Sequence, residues 1–449
     1  MSVTVIDSEL FGDQFSTPEM RAVFEDIATL QAWIDVEVAL ARIEAELGII
    51  PAEAAEAIAG AGDAGRYDLA ALKREMDRTA HPIVPLVRAM DALCPDGLGE
   101  YVHWGATTQD ILDTGTVLQV RRALMLTAAG LDSLLETLVN LARTHRDTPL
   151  AGRTHGQQAL PVTLGYKAAV WVAEVRRHRA RLDELRPRVL VVQFSGAVGT
   201  LASLGPHGLD VQAGIARELD LAQPEITWHT AKDGLVEVVC WLALVAATCG
   251  KIAHEMYTLG RTELAEVEEP YPAGKIGSST MPQKRNPAIC ESIVSLARIV
   301  RGLVPVALED IMCEHERDKI ANNVEKATLA PAFCHTEAAL RKTAVLIAGL
   351  DVKPANMRRN MDISKGLLLS EAVMMRLAEH MGRQTAHDVV HAAAMTAFED
   401  DRPLKDLLMA DAAVTDVLSE ADIDALLDPA AYTGLAGEMV DRVLAAGDS

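Results

Sequence analysis

Apolar residues recur three and four positions apart along most of this chain, the spacing that lines one face of an α-helix. Phe24 to Leu47 keeps that rhythm. Thr17-Pro18-Glu19 offers a start nearby, with threonine as a cap and proline in the first turn. Gly48 is a natural stop, and Pro51 opens the next helix. Three proline-free runs, Asp110 to His145, Val162 to Leu185 and Leu235 to Glu268, exceed the usual globular helix. The first, if continuous, extends roughly 54 Å at about 1.5 Å per residue. Helices of that length need a bundle or a partner subunit to cover their apolar faces. No internal repeat, low-complexity tract or convincing strand pattern interrupts them. The pattern predicts an all-α protein: a helical N-terminal domain over 1–109, a central long-helix bundle over 110–351 and a helical C-terminal domain over 352–449.

Composition narrows this further. Apolar residues make up 49% of the 449 positions and aromatics only 4%. The interior must therefore be built from Ala, Leu, Val and Ile, which suits close helix-on-helix packing. A formal net charge of −22 argues against general binding to nucleic acid or to an anionic membrane. An anionic substrate would need cations concentrated locally. The six cysteines have no metal-like spacing and read as free thiols of a reducing compartment. The N-terminus has no basic region followed by an apolar run, and Val238 to Cys249 is too short to cross a bilayer. A cytoplasmic location is expected.

Four polar, glycine-containing stretches break the helical rhythm: Tyr101 to Asp110, Ala151 to Gln158, Ala273 to Pro287, and Glu314 to Asp318. Loops on a helical scaffold are where binding and catalytic groups concentrate. The third, AGKIGSSTMPQKRNP, combines glycine freedom, hydroxyls at Ser278, Ser279 and Thr280, and cations at Lys284 and Arg285. Such a loop suits closure over an anion, with backbone N–H groups and Lys284 meeting carboxylate oxygens. An ordinary surface turn is the plain alternative. It is not a phosphate-binding P-loop, because GxxxxGK[ST] is absent.

The segment Gly277 to Pro287 resembles the signature of the fumarase/aspartase superfamily, GSSxMPxKxNP, at every fixed position. HWGATTQD and GRTHGQ resemble that superfamily's other two characteristic regions, in the expected order. Within it, the chain is similar to the branch of adenylosuccinate lyase and bacterial 3-carboxy-cis,cis-muconate cycloisomerase. The resemblance implies three helical domains, a central bundle shared by four identical subunits, and active sites drawing on three of them. It also implies a small polycarboxylate substrate and β-elimination. A proton leaves the carbon next to a carboxylate, a doubly charged aci-carboxylate forms, and a β-substituent departs.

By the same resemblance Ser278 is the base, ionised when its loop closes, while Lys284 and Asn286 hold a substrate carboxylate. His155 delivers a proton to the leaving group and Glu291 pairs with it, raising its basicity. Thr107 and Thr108 bind carboxylate, with helix capping as the alternative role. Thr154 and Gln158 (or Gln157) join them. His81 matches a second active-site histidine of adenylosuccinate lyases, although Pro82 departs from the usual Asp there. Arg317 meets a further anionic group or forms a structural ion pair. Ser279 serves as a loop-structuring hydroxyl at least as readily as a catalytic one. No metal-ligand cluster or nucleotide fingerprint appears, so no metal and no cofactor is expected.

Two branches remain. Asp13 to Ser16 replaces an Arg-Tyr pair of adenylosuccinate lyases, Gln283 replaces a histidine, and Ala321 to Lys326 replaces their SSAER segment. These departures weaken the case for a nucleotide substrate. Bacterial cycloisomerases, however, typically lack the counterparts of His155 and Glu291. The balance favours a carbon–nitrogen lyase releasing fumarate from an N-substituted aspartate or similar succinyl compound, with the cycloisomerase as alternative.

Overall fold

The computed structural model describes residues 4–272, 274, 277, 278 and 280–446; the hydroxyl of Ser279 lies outside them. Helices dominate, and their starts follow local chemistry. Thr17 accepts the Met20 N–H at 3.2 Å and Pro18 occupies the first position of the Pro18–Phe24 helix. Glu25 is extended, so the periodic stretch from Phe24 becomes a new helix at Asp26–Glu46. Gly48 closes it at φ 71°, where a Cβ would be strained, and Pro51 precedes Ala52–Gly60.

Five long helices follow: Thr108–Thr144, Leu164–Val189, Asp233–Leu259, Ala288–Leu308 and Ile320–Ala348. Gly115 has a packing reason within the first. A Cβ there would lie 2.7 Å from Cδ1 of Trp33 on Asp26–Glu46. Asp233–Leu259 is apolar enough by composition to cross a membrane, but 67% of its apolar window is buried inside the chain. It ends earlier than the periodicity predicts. After Gly260 the chain turns, with the Leu264 and Ala265 N–H groups donating to Arg261 O, and Val267–Glu268 then pairs antiparallel with Asp351–Val352.

By compactness the chain forms two units. The first comprises Met1–Asp132, Arg177–Gly250 and Ser292–Arg341; the second comprises Ser133–Arg176, Lys251–Glu291 and Lys342–Ser449. In the first, Leu30, Ile34, Ile58, Leu86 and Met90 form one core, and Leu40, Ile43, Phe194, Val211 and Ile215 another. In the second, Val373, Leu377, Val390, Leu404, Leu408 and Ile423 pack among the C-terminal helices. The long helices keep apolar side chains in solvent, with Met125 63%, Leu244 51% and Val345 52% exposed.

A hairpin that the hydrophobic pattern does not reveal joins two long helices of the chain. Pro149–Thr154 pairs with Gln157–Thr163, with a bulge between Ala151 and Arg153. His155 and Gly156 form its two-residue tip at φ 53° and 78°, as a type I′ turn requires. The bulge breaks the alternation, and a His-Gly tip lacks the Asn-Gly or Asp-Gly that marks such turns in sequence.

One buried acid in the first unit has a clear consequence. Glu44, fully buried on Asp26–Glu46, has no hydrogen-bond partner for either oxygen among the described residues. Burial and then the nearby Glu37 push its pKa up to about 9. An unfolded glutamate ionises near 4.5 while the folded one keeps its proton to about 9, so stability is lost as pH rises through that window. Glu44→Gln is therefore expected to raise the melting temperature more at pH 8 than at pH 5. Equal shifts in scanning calorimetry at the two pH values would contradict this.

Candidate active site

In the first unit, the start of the Thr108–Thr144 helix forms one wall of a cavity of about 510 Å³. His81, Thr107, Thr108 and Arg317 meet there, with Lys319, Asn322 and Lys326. The Val84 N–H donates to His81 Nδ1 at 3.2 Å, which leaves the ring proton on Nε2 to donate to Thr108 Oγ1 at 3.1 Å. Burial, then Lys319 and His103, lower the His81 pKa and keep the ring neutral. Arg317 Nη1 donates to Thr107 Oγ1 at 3.2 Å. Each threonine hydroxyl thus accepts one hydrogen bond and retains its own proton to donate. Two O–H donors with Arg317, Lys319 and Lys326 nearby can bind a carboxylate. The lining carries these three cations against the carboxylates of Asp77 and Asp318, so its balance is positive in a chain of net charge −22.

Asp110 organises this wall from behind. Fully buried, it accepts from the N–H groups of Thr107 (2.9 Å), Ser195 (2.9 Å) and Gly196 (3.0 Å), and pairs with His229 Nε2 at 2.9 Å. The reach back to Thr107 is the acidic half of a capping box. Neither Asp110 nor His229 was singled out by the sequence motifs. The available signal was spacing: Asp110 and Asp113 lie three apart in a run that also carries Ile111, Leu112 and Val117, and a carboxylate among such residues implies a buried partner. His103, at φ 65°, holds Glu37 at 2.7 Å; burial opposes its charge but Glu37 raises its pKa on balance.

The second unit carries Thr154, His155, Gln158, Ser278, Lys284, Asn286 and Glu291. Thr154 and His155 are exposed at the hairpin tip, and the His155 ring has no hydrogen-bond partner among the described residues. Arg153 holds the hairpin through a bidentate pair with buried Glu266, at 2.6 and 3.1 Å. Asn360 donates to the same carboxylate at 2.9 Å. Gln158, paired across the strands with Arg153, donates to Asn360 O at 2.8 Å, so within one chain its amide anchors the hairpin. Glu266→Gln leaves the Arg153 charge largely buried and half-paired, and is expected to cost about 3 kcal/mol of stability. Urea unfolding measures this, and a loss under about 0.5 kcal/mol would show the pair to be dispensable.

In the glycine loop, Ser278 Oγ is half-buried and accepts from the N–H groups of Thr280 (3.4 Å) and Met281 (3.1 Å). Such donors favour an ionised oxygen over a neutral one. Asn286 Nδ2 donates to Gly277 O at 2.8 Å and ties the loop's ends. The approach is close: a Cβ on Gly277 would lie 2.4 Å from Lys284 O. Lys284 is exposed, with no partner for its ammonium among the described residues. Glu291 lies exposed in the first turn of Ala288–Leu308, and His155 and Glu291 are not hydrogen-bonded within one chain.

Residues 13–302 match the family described as Lyase, and residues 366–443 match Adenylosuccinate lyase C-terminus. The chain belongs to the fumarase/aspartase superfamily of lyases. It is 44% identical to N-acetyl-S-(2-succino)cysteine lyase of Enterococcus italicus, over 99% of this chain and 98% of that one. It is 45% identical to 3-carboxy-cis,cis-muconate cycloisomerase of Pseudomonas aeruginosa, over 98% and 96%. The solved 3-carboxy-cis,cis-muconate lactonizing enzyme from Pseudomonas putida superposes with a TM-score of 0.94 at 42% identity, covering 98% of this chain and 99% of that one. This superfamily lyase is all-helical but for its short strand pairs, and the chemistry its family supports is β-elimination.

Proposed function

We propose that this lyase releases fumarate from a succinyl compound carrying a heteroatom leaving group, with an N-substituted aspartate as the favoured substrate. His155 carries the reading. Its ring is raised on a two-residue tip with both nitrogens uncommitted among the described residues. A free acid at such a tip suits a leaving group that must be protonated as it departs, as an amine must.

The steps follow from the groups named. Ser278, as an alkoxide supported by the Thr280 and Met281 amides, takes the proton from the carbon next to a carboxylate. Lys284 and Asn286 hold that carboxylate as charge builds on it. The carbon–nitrogen bond then breaks, the double bond of fumarate forms, and His155, with Glu291 as its partner, gives a proton to the amine. Thr107, Thr108 and Arg317 hold the other carboxylate, with His81 fixing Thr108. Thr154 and Gln158 complete the substrate contacts.

The exposed apolar side chains on the long helices support a homotetramer in which different subunits supply these groups to one site. Similarity to N-acetyl-S-(2-succino)cysteine lyase brings S-linked succinyl compounds into the same substrate class. Similarity to 3-carboxy-cis,cis-muconate cycloisomerases supports the second reading, lactone formation. Proton NMR on purified protein separates them, using N-substituted aspartates, adenylosuccinate, argininosuccinate, S-(2-succino)thiols and the carboxymuconate–lactone pair. Fumarate from one succinyl compound sustains the lyase reading and names the leaving group; lactone without fumarate replaces it with the cycloisomerase.

A further inference from the structure

Behind the cavity wall lies a charged group that the proposed reaction does not use. Lys232 precedes the Asp233–Leu259 helix and its side chain is 0% exposed. The ammonium donates to Asp113 at 2.6 Å and to Glu325 at 3.3 Å, and lies 5.1 Å from the centre of the Trp228 ring. Asp113 stands on Thr108–Thr144 and Glu325 on Ile320–Ala348. The same two helices are joined at the cavity by a reciprocal amide pair: Gln109 donates to Asn322 at 3.0 Å, and Asn322 to Gln109 at 2.7 Å. Gln109 also donates to Asp113 at 2.5 Å. One hydrogen-bonded path therefore runs from Lys232 through Asp113 and Gln109 to Asn322, whose side chain lines the cavity.

Stability alone is a poor reason for this arrangement. Burying an ammonium and its carboxylates carries a desolvation penalty, and well-packed apolar residues of similar volume often serve a fold as well or better. An apolar residue could not, however, hold two carboxylates from two helices at fixed hydrogen-bond distances. One turn earlier on each helix, Gln109 and Asn322 line the substrate cavity, so the spacing of the two carboxylates sets how well that wall fits a bound carboxylate.

We propose that Lys232 is a positioning residue. It sets the separation of the Thr108–Thr144 and Ile320–Ala348 helix starts, so that Thr107, Thr108 and Asn322 meet a substrate carboxylate as one wall. This rests on the lyase reading above and adds to it a residue that touches no substrate.

The test is the triple variant Lys232→Met, Asp113→Asn, Glu325→Gln, which removes the three charges of the tie together. It is compared with wild type, as the full chain, in melting temperature, kcat, KM and the Kd for fumarate. The variant is expected to stay folded while KM and the fumarate Kd rise about tenfold or more and kcat falls less than about threefold, the signature of lost uniform binding. KM and Kd within about twofold of wild type in a folded variant would overturn the proposal, as would a fall in kcat alone. If the triple variant does not fold, Glu325→Gln by itself is measured in the same way. It retains Asp113 as the lysine's partner, and an unchanged KM there also overturns the proposal. A wild type that neither binds fumarate nor forms it from any succinyl compound defeats the lyase reading first, and this inference falls with it.

Discussion

Ser278→Ala is expected to lower kcat by about 10³-fold or more, since a positioned base commonly contributes 10²–10⁴. A serine hydroxyl is a poor base in water. It becomes effective only where its oxygen is surrounded by donors, and here the Thr280 and Met281 amides point at Oγ with the Lys284 ammonium in the same loop. Alanine leaves those donors in place but removes the atom that takes the proton. The side chain is only half-buried and belongs to no core cluster, so stability should change by less than about 0.5 kcal/mol. Fumarate formation by NMR and the melting temperature together test this. More than about a tenth of wild-type activity in a folded variant would place the base elsewhere.

His155→Asn is expected to cost about 10²–10⁴ in kcat for substrates that release an amine. The loss should shrink for succinyl compounds that release a good anion, such as a thiolate of low pKa, because those need less help from an acid. Asparagine tolerates the positive φ of the hairpin tip, so the turn itself should survive. The ratio of kcat between N-linked and S-linked substrates is the diagnostic measurement. A uniform loss across leaving groups would assign His155 to positioning or carboxylate binding instead.

Three of the five long helices were legible in the sequence because proline-free runs rich in Ala, Leu and Val cover most of each, whereas Ala288–Leu308 and Ile320–Ala348 carry Pro305 and Pro331 and were not read as long helices. The motif loops were legible as dense polar interruptions. What the sequence hid is instructive in physical terms. The hairpin was hidden because a bulge at Gly152 and a His-Gly turn erase both the alternation and the usual turn residues. Gln158 also donates to Asn360 O within one chain, an anchor for the hairpin set by a residue about two hundred positions away. Lys232, beside Asp233 at a helix start, looks like a solvated pair; only the packing of two distant helices makes it a buried tie. Long-range partners of this kind leave no trace in local spacing.

Asp110 bears on how the molecule comes together in time. Its carboxylate gathers the Thr107 amide from its own turn, the Ser195 and Gly196 amides from 85 and 86 residues away, and His229 from 119 residues away. Closing loops of that length sacrifices chain entropy before any contact repays it, whereas helices form in about a microsecond from local bonds. A refolding chain therefore regains its helices first. The wall that Asp110 organises is expected to close late, once two distant segments have found one aspartate.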